Sequence, residues 1–126
     1  MLTKTGKIIK FMNYNELSSN PVNIVLQLVG AKWKLLIIKE LLKKELRFVE
    51  LKNKLGCTAK VLTKCLKEME EDGIVVKEVY ESSIPKVEYY LTDIGYTFRP
   101  IIEAMQKWGK EYKRLRKLMD LYGKEV

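Results

Sequence analysis

The 126-residue sequence has no histidine and only two cysteines, Cys57 and Cys65. Without histidine, the usual general base for a serine or cysteine nucleophile is missing. Two cysteines this close together, with no histidine to join them, fall short of a zinc ligand set. The seven glycines are scattered singly, so no loop is built to cradle a phosphate. No apolar stretch approaches the roughly 20 residues that span a bilayer, and the N-terminal stretch holds no run suited to a signal peptide. These absences predict a chain with no catalytic residue, no metal and no cofactor, working in the cytoplasm away from membranes.

What is present is a basic, well-mixed composition. With 47% hydrophobic and 32% charged residues, the chain reads as one ordinary folded domain rather than a disordered segment. The formal net charge is +8, and it is unevenly placed. Between Lys32 and Lys67, eleven Lys or Arg face three Glu, so the remainder sums to about zero. Such a block fits an anionic partner such as nucleic acid, although a solvated lysine-rich surface has the same composition.

Periodicity divides the chain further. Met1 to Ser19 reads as an arm, and the domain proper runs from residue 20 to 126. Asn20-Pro21 has the form of an N-cap followed by proline at the first helical position. The helix that follows places Ile24, Val25 and Leu28 inward and stops at Gly30. A second begins near Ala31, with Trp33, Leu36, Ile37 and Leu41 on one face. At that spacing Trp33 reads as a core anchor rather than a ligand-facing ring. Glu45-Leu46-Arg47 is a break or a short strand. Phe48, Leu51 and Leu55 then mark a third helix that ends at Gly56.

The next helix, about residues 58–72, carries its charges against its own dipole. Lys60, Lys64 and Lys67 occupy its first half, and Glu68, Glu70, Glu71 and Asp72 its second, whereas a helix dipole favours acids first. Thr58 is its expected N-cap, and Leu62, Cys65, Leu66 and Met69 its buried face. Two short helices around a glycine-containing turn make a helix-turn-helix. Val75–Tyr80 and Val87–Leu91 follow as extended, β-rich segments joined by a polar connection with Pro85. The expected fold is mainly α with a small β-hairpin: a winged helix-turn-helix.

From residue 93 to 122 the pattern predicts one long helix. Phe98, Ile101, Met105, Trp108, Tyr112, Leu115, Met119 and Tyr122 recur at alternating threes and fours, a heptad seam. Pro100 is expected to kink this helix or to mark where its straight part starts. Thirty helical residues would extend roughly 45 Å, too far for every apolar side chain to reach one small core. A homodimer seam is therefore expected through Ile101, Met105, Trp108, Tyr112, Leu115 and Met119. The alternative is a helix folded back on its own domain.

In a helix-turn-helix the second helix enters the major groove of double-stranded DNA by its N-terminal end. That order explains the inverted charges. Thr58, Lys60, Thr63, Lys64 and Lys67 are the expected DNA contacts on the helix. Lys60 and Lys67 are assigned to phosphates, and Thr63 and Lys64 to base edges. Arg47 ahead of the third helix, and Ser82, Ser83 and Lys86 in the wing (about residues 81–86), complete the candidate interface. Two alternatives share the lysines: a non-specific architectural DNA binder, and a protein-interaction module with an incidental basic face.

The motifs "GAKWKLLIIKELL", "LRFVELKNKLG", "TAKVLTKCLKEMEEDGIV", "PKVEYYLTDIGYTFRPII" and Trp108-Gly109 resemble, in order, the HxlR-type regulators, a winged-helix group related to MarR repressors. The resemblance spans roughly Pro21 to Gly109. It implies a dimeric DNA-binding transcriptional regulator without enzymatic activity, paired through the N-terminal segment and the C-terminal helix. Many members of that group carry a cysteine just before the proline of the first domain helix, and several use it to sense electrophiles or oxidants. This chain has Asn20 there, so control by that route is not expected. Cys57 precedes the N-cap of the DNA-reading helix, where a helix dipole and Lys60 favour a thiolate, which makes it the candidate redox residue. The competing reading is a small apolar residue filling the gap between two helices, where the group more often has an aliphatic side chain. The effector, the operator and the sign of regulation are not legible.

Overall fold

The computed structural model describes residues 1 to 123. After a single 3-10 turn at Tyr14–Glu16, the elements in chain order are α1 (Pro21–Val29), α2 (Lys32–Leu41), α3 (Phe48–Leu55), α4 (Ala59–Glu71), β1 (Val75–Tyr80), β2 (Lys86–Leu91), α5 (Asp93–Tyr96) and α6 (Arg99–Tyr122). Their ends follow local chemistry. The Asn20 side chain accepts from the Val22 and Asn23 amides, satisfying donors that the first turn of α1 leaves unpaired. Gly56 closes α3 at φ 71°, a left-handed conformation that a side chain would strain. Two residues later, Thr58 Oγ1 accepts from the Val61 amide at 3.2 Å and starts α4.

Helix α2 is the hub, packing against α1, α3, α4, β2 and α6. Its Ile37, Ile38 and Leu41 meet Leu51 of α3 and Leu62, Leu66 and Met69 of α4 in one buried cluster. Val75 and Leu91 close that cluster from the hairpin, and Phe98 and Ile102 from the C-terminal side. Each fully buried aliphatic side chain contributes roughly 1.5–3 kcal/mol, so this cluster fixes the orientation of α4. Trp33 lies half-buried against the same core, as its spacing predicts.

The strands pair antiparallel, from Val75 opposite Leu91 to Tyr80 opposite Lys86. Strand β2 begins one residue earlier than its β-branched run indicates, so Lys86 is in the ladder and not in the connection. The short strand expected at residues 45–47 is a single bridge, in which Leu46 and Tyr89 exchange backbone hydrogen bonds of 3.1 and 2.8 Å. That bridge ties the start of the helix-turn-helix to the wing.

The single helix expected over 93–122 is divided. Helix α5 ends in tight turns, with the Thr97 amide donating to Ile94 and the Phe98 amide to Gly95, before α6 starts at Arg99. Pro100 lies in the first turn of α6, where its missing N–H costs nothing, and it cannot continue a preceding helix. A Cβ on Gly95 would lie 2.4 Å from the Ile74 carbonyl oxygen, so α5 is pressed onto the start of the hairpin.

The N-terminal residues read as an arm lie against this sheet. Leu2 bridges Ile8, and the turn between them delivers Thr5 to Glu78 of β1. Glu78 is 0% exposed. It accepts from the Thr5 amide at 2.9 Å, the Thr5 hydroxyl at 2.7 Å and the Tyr90 hydroxyl at 2.9 Å. Burial, the largest single influence, pushes its carboxyl up, but these hydrogen bonds together hold it below the ordinary range.

Candidate nucleic-acid interface

Helix α4 turns Leu62, Cys65, Leu66 and Met69 into the core. Helical geometry therefore turns Lys60, Thr63, Lys64 and Lys67 outward, and all four are exposed. No acidic residue occupies the first turn of α4, so its positive dipole end is uncompensated. Thr58 is exposed as well, with its oxygen engaged in capping and its hydroxyl hydrogen free to be donated.

One acid at the other end, Glu68, has a structural partner. Glu68 pairs with Lys34 of α2 at 2.6 Å, and the Lys34 side chain is buried. The hydrogen bond from Lys34 holds the Glu68 carboxyl below its ordinary value, against a smaller opposing effect of burial. Lys34 thereby pins the second half of α4 to α2 without occupying the exposed lysine stripe. Glu70 shares its surroundings with Lys77 and Lys10, although burial dominates and raises its carboxyl. The inverted charge order thus has an internal cause at Glu68 and an open one at the basic end. Lys34 escapes detection from spacing alone, because a lysine inside an apolar helix face reads as noise.

The other candidates are less uniform. Arg47 is exposed at the N-cap of α3, where its backbone N–H donates to Glu50 Oε1 at 2.9 Å. Ser82 and Ser83 are exposed in the hairpin connection, but the Ser82 hydroxyl donates to the Ile84 carbonyl at 2.5 Å and shapes the tip. Lys86 pairs with Glu88 at 2.9 Å, which makes it a weaker candidate than the α4 lysines. Cys57 packs half-buried against the core, and Cys65 is buried, with desolvation pushing its thiol up. Both cysteines are free.

Helix α6 presents the seam residues on one exposed face. Ile101, Met105, Trp108, Tyr112, Leu115 and Met119 are all exposed, Trp108 by 67%. Trp108 stacks on Tyr112 with ring centroids 5.2 Å apart. Ile102, outside the predicted seam, is the one described α6 residue that reaches the core. Among the described residues, no single helix is long and apolar enough to cross a membrane.

Comparison with known proteins places this architecture. The family model for the HxlR-like helix-turn-helix matches residues 28–117. The uncharacterized HTH-type transcriptional regulator YdeP of Bacillus subtilis is 41% identical over 100 residues, covering 78% of this chain and 78% of that one. Among solved structures, the redox regulator HypR in its reduced form superposes with a TM-score of 0.72 at 37% identity, covering 78% of this chain and 98% of that chain. A MarR-family transcriptional regulator from Enterococcus faecalis V583 superposes with a TM-score of 0.68 at 34% identity, covering 82% of this chain and 97% of that one. The matched span holds the helices and hairpin that build the basic face, and on that ground the chain belongs to the HxlR-like helix-turn-helix family, whose members are transcriptional regulators rather than enzymes.

Proposed function

We propose that the protein regulates transcription as a homodimer that recognises a specific sequence in double-stranded DNA. The observation that carries this reading is the exposed stripe Lys60, Thr63, Lys64 and Lys67 on a helix whose opposite face is locked in the core. In this reading α4 enters the major groove by its N-terminal half, with Lys60 and Lys67 on phosphates and Thr63 and Lys64 near base edges. Thr58 and Arg47 add backbone contacts, and Ser82, Ser83 and Lys86 bring the wing to the adjacent backbone or minor groove.

The dimer reading is supported by α6. Its 24 residues extend about 36 Å, and every residue from Glu103 to Tyr122 is exposed in the isolated chain. An apolar stripe of that length in a lone chain would be a standing liability, and a second copy covers it symmetrically. Two α4 helices then address two half-sites related by a two-fold axis.

Selection of bound sequences from random duplex DNA, followed by affinity measurement at fixed salt, tests both parts. The expected result is an inverted repeat with half-sites roughly 34–36 Å apart, bound at least about a thousandfold more tightly than bulk DNA. Equal affinity for all sequences would overturn specificity in favour of architectural binding.

A further inference from the structure

The tip of the wing, residues 81–85, carries no lysine or arginine, and Glu81 is its only charged residue. Lys86, which follows it, is turned back along the hairpin. Its ammonium pairs with Glu88 at 2.9 Å and lies 5.9 Å from the centre of the Tyr80 ring. The tip therefore has no free cation with which to grip a phosphate. What it offers instead is Ile84, 82% exposed and outside the buried core. A lone exposed isoleucine is commonplace, but this one is presented by a built turn. The five-residue connection closes at the Tyr80–Lys86 pair, and the Ser82 hydroxyl donates to the Ile84 carbonyl at 2.5 Å. Pro85 fixes its own φ and confines the backbone of Ile84 before it to extended conformations. Isoleucine is also stiff at χ1, so ordering this side chain against a surface costs little entropy.

We infer that Ile84 is the wing's main contact with DNA, lying on the floor of the minor groove, and that it selects A·T over G·C pairs there. The inference rests on the proposed DNA reading and deepens it. Arginine and lysine enter narrow minor grooves because the potential there is strongly negative. A tip whose one charge is Glu81 has no such attraction, so its contact must be apolar. Isoleucine is among the apolar side chains that proteins place in this groove. The groove is about 6 Å wide, which leaves room for one such side chain between the sugar walls. An A·T pair of either orientation presents acceptors alone, whereas a G·C pair adds the guanine 2-amino donor. An isoleucine over that amino group meets it sterically and strips its water without supplying an acceptor. Because both orientations of A·T look alike from this side, the selection is for composition and not for order.

The experiment keeps the selected half-sites and varies the flanking pairs one at a time among A·T, G·C and inosine·C. Inosine keeps the major-groove acceptors of guanine but lacks the 2-amino group, so it isolates the minor groove. With G·C beneath the wing, wild type should bind at least about fivefold more weakly than with A·T. With inosine·C at the same pair, affinity should return to within about twofold of the A·T duplex. Ile84→Ala should cut the G·C penalty to less than about twofold while still separating the selected site from bulk DNA. Ile84→Arg should raise the salt slope by about one unit, since it supplies the cation that the native tip lacks. A penalty that inosine·C shares with G·C lies in the major groove and overturns the inference. So does a G·C penalty that survives Ile84→Ala, or an unchanged salt slope for Ile84→Arg. Any of these in a protein that still prefers the selected site counts against Ile84 alone. A protein that binds all duplexes alike, whatever the half-site or flank, overturns the sequence-specific reading together with this one.

Discussion

Helices α4 and α6 are both amphipathic, but only one finds its apolar partner within the chain. Helix α4 buries Leu62, Cys65, Leu66 and Met69 over 13 residues, whereas α6 buries only Ile102 over 24. The difference matches the separate roles proposed for the two helices. A helix held on one side by the core presents its other side at a fixed angle, which is what reading a duplex requires. A helix whose apolar side is left bare is what the proposed dimer seam requires.

The most severe way to probe this contrast is to cut into each apolar face. Leu66→Ala should cost about 2–5 kcal/mol of unfolding free energy, because the cavity it leaves is enclosed. Met119→Ala, at protein concentrations low enough to dissociate a dimer, should change it by less than about 0.5 kcal/mol. Urea unfolding of the two variants checks both values. A comparable loss from Met119→Ala in dilute monomer would show α6 folded onto its own domain.

Assembly should respond in the reverse order. Leu115→Glu is expected to give monomers by sedimentation, with far-UV helicity largely retained, and poor binding to a duplex carrying both half-sites. Trp108→Ala should act in the same direction and also remove the stack on Tyr112. A wild-type protein that sediments as a monomer at micromolar concentration would remove the seam from the account.

Acid should loosen the wing side before it reaches α6. The folded-state carboxyl of Glu78 is depressed from 4.5, so its contribution is fully present above that value and is lost as the pH falls through the lower folded one. The stability difference between wild type and Glu78→Gln should therefore be largest near neutrality and shrink on acidification. Amide exchange at Thr5 should accelerate over the same range. A difference that is flat with pH would mean that the network holds through shape rather than charge.

The smallest expected effect concerns Cys57, half-buried beside the start of α4. Duplex affinity of the wild type and of Cys57→Ser should be compared before and after mild peroxide. Packing against the core predicts that the two respond alike. A loss of affinity confined to the wild type would make Cys57 a control thiol.

Much of this contrast was legible in the residues. The caps at Asn20 and Thr58, the stop at Gly56 and the buried face of α4 are local chemistry, encoded within a few positions of where they act. The exposed stripe of α4 followed from the same periodicity. The division between α5 and α6 was only half visible, because Pro100 marks a boundary but not whether a helix precedes it. Two features had no local signal. Lys34 looks out of place until Glu68 is seen beside it on another helix. Glu78 lies opposite Glu88 in the ladder, and its partner Thr5 is 73 residues away. Long-range polar pairs of this kind leave no periodic trace.

The central claim is that α4 reads bases at Thr63 and Lys64 and grips the backbone at Lys60. Its most direct test measures Thr63→Ala, Lys64→Ala and Lys60→Ala on the selected site and on bulk duplex across a salt series. Thr63→Ala and Lys64→Ala should each lose about 1–3 kcal/mol on the selected site and much less on bulk DNA. Lys60→Ala should weaken both duplexes alike and reduce the salt slope by about one unit. Equal losses on every sequence for all three variants would contradict base readout by α4.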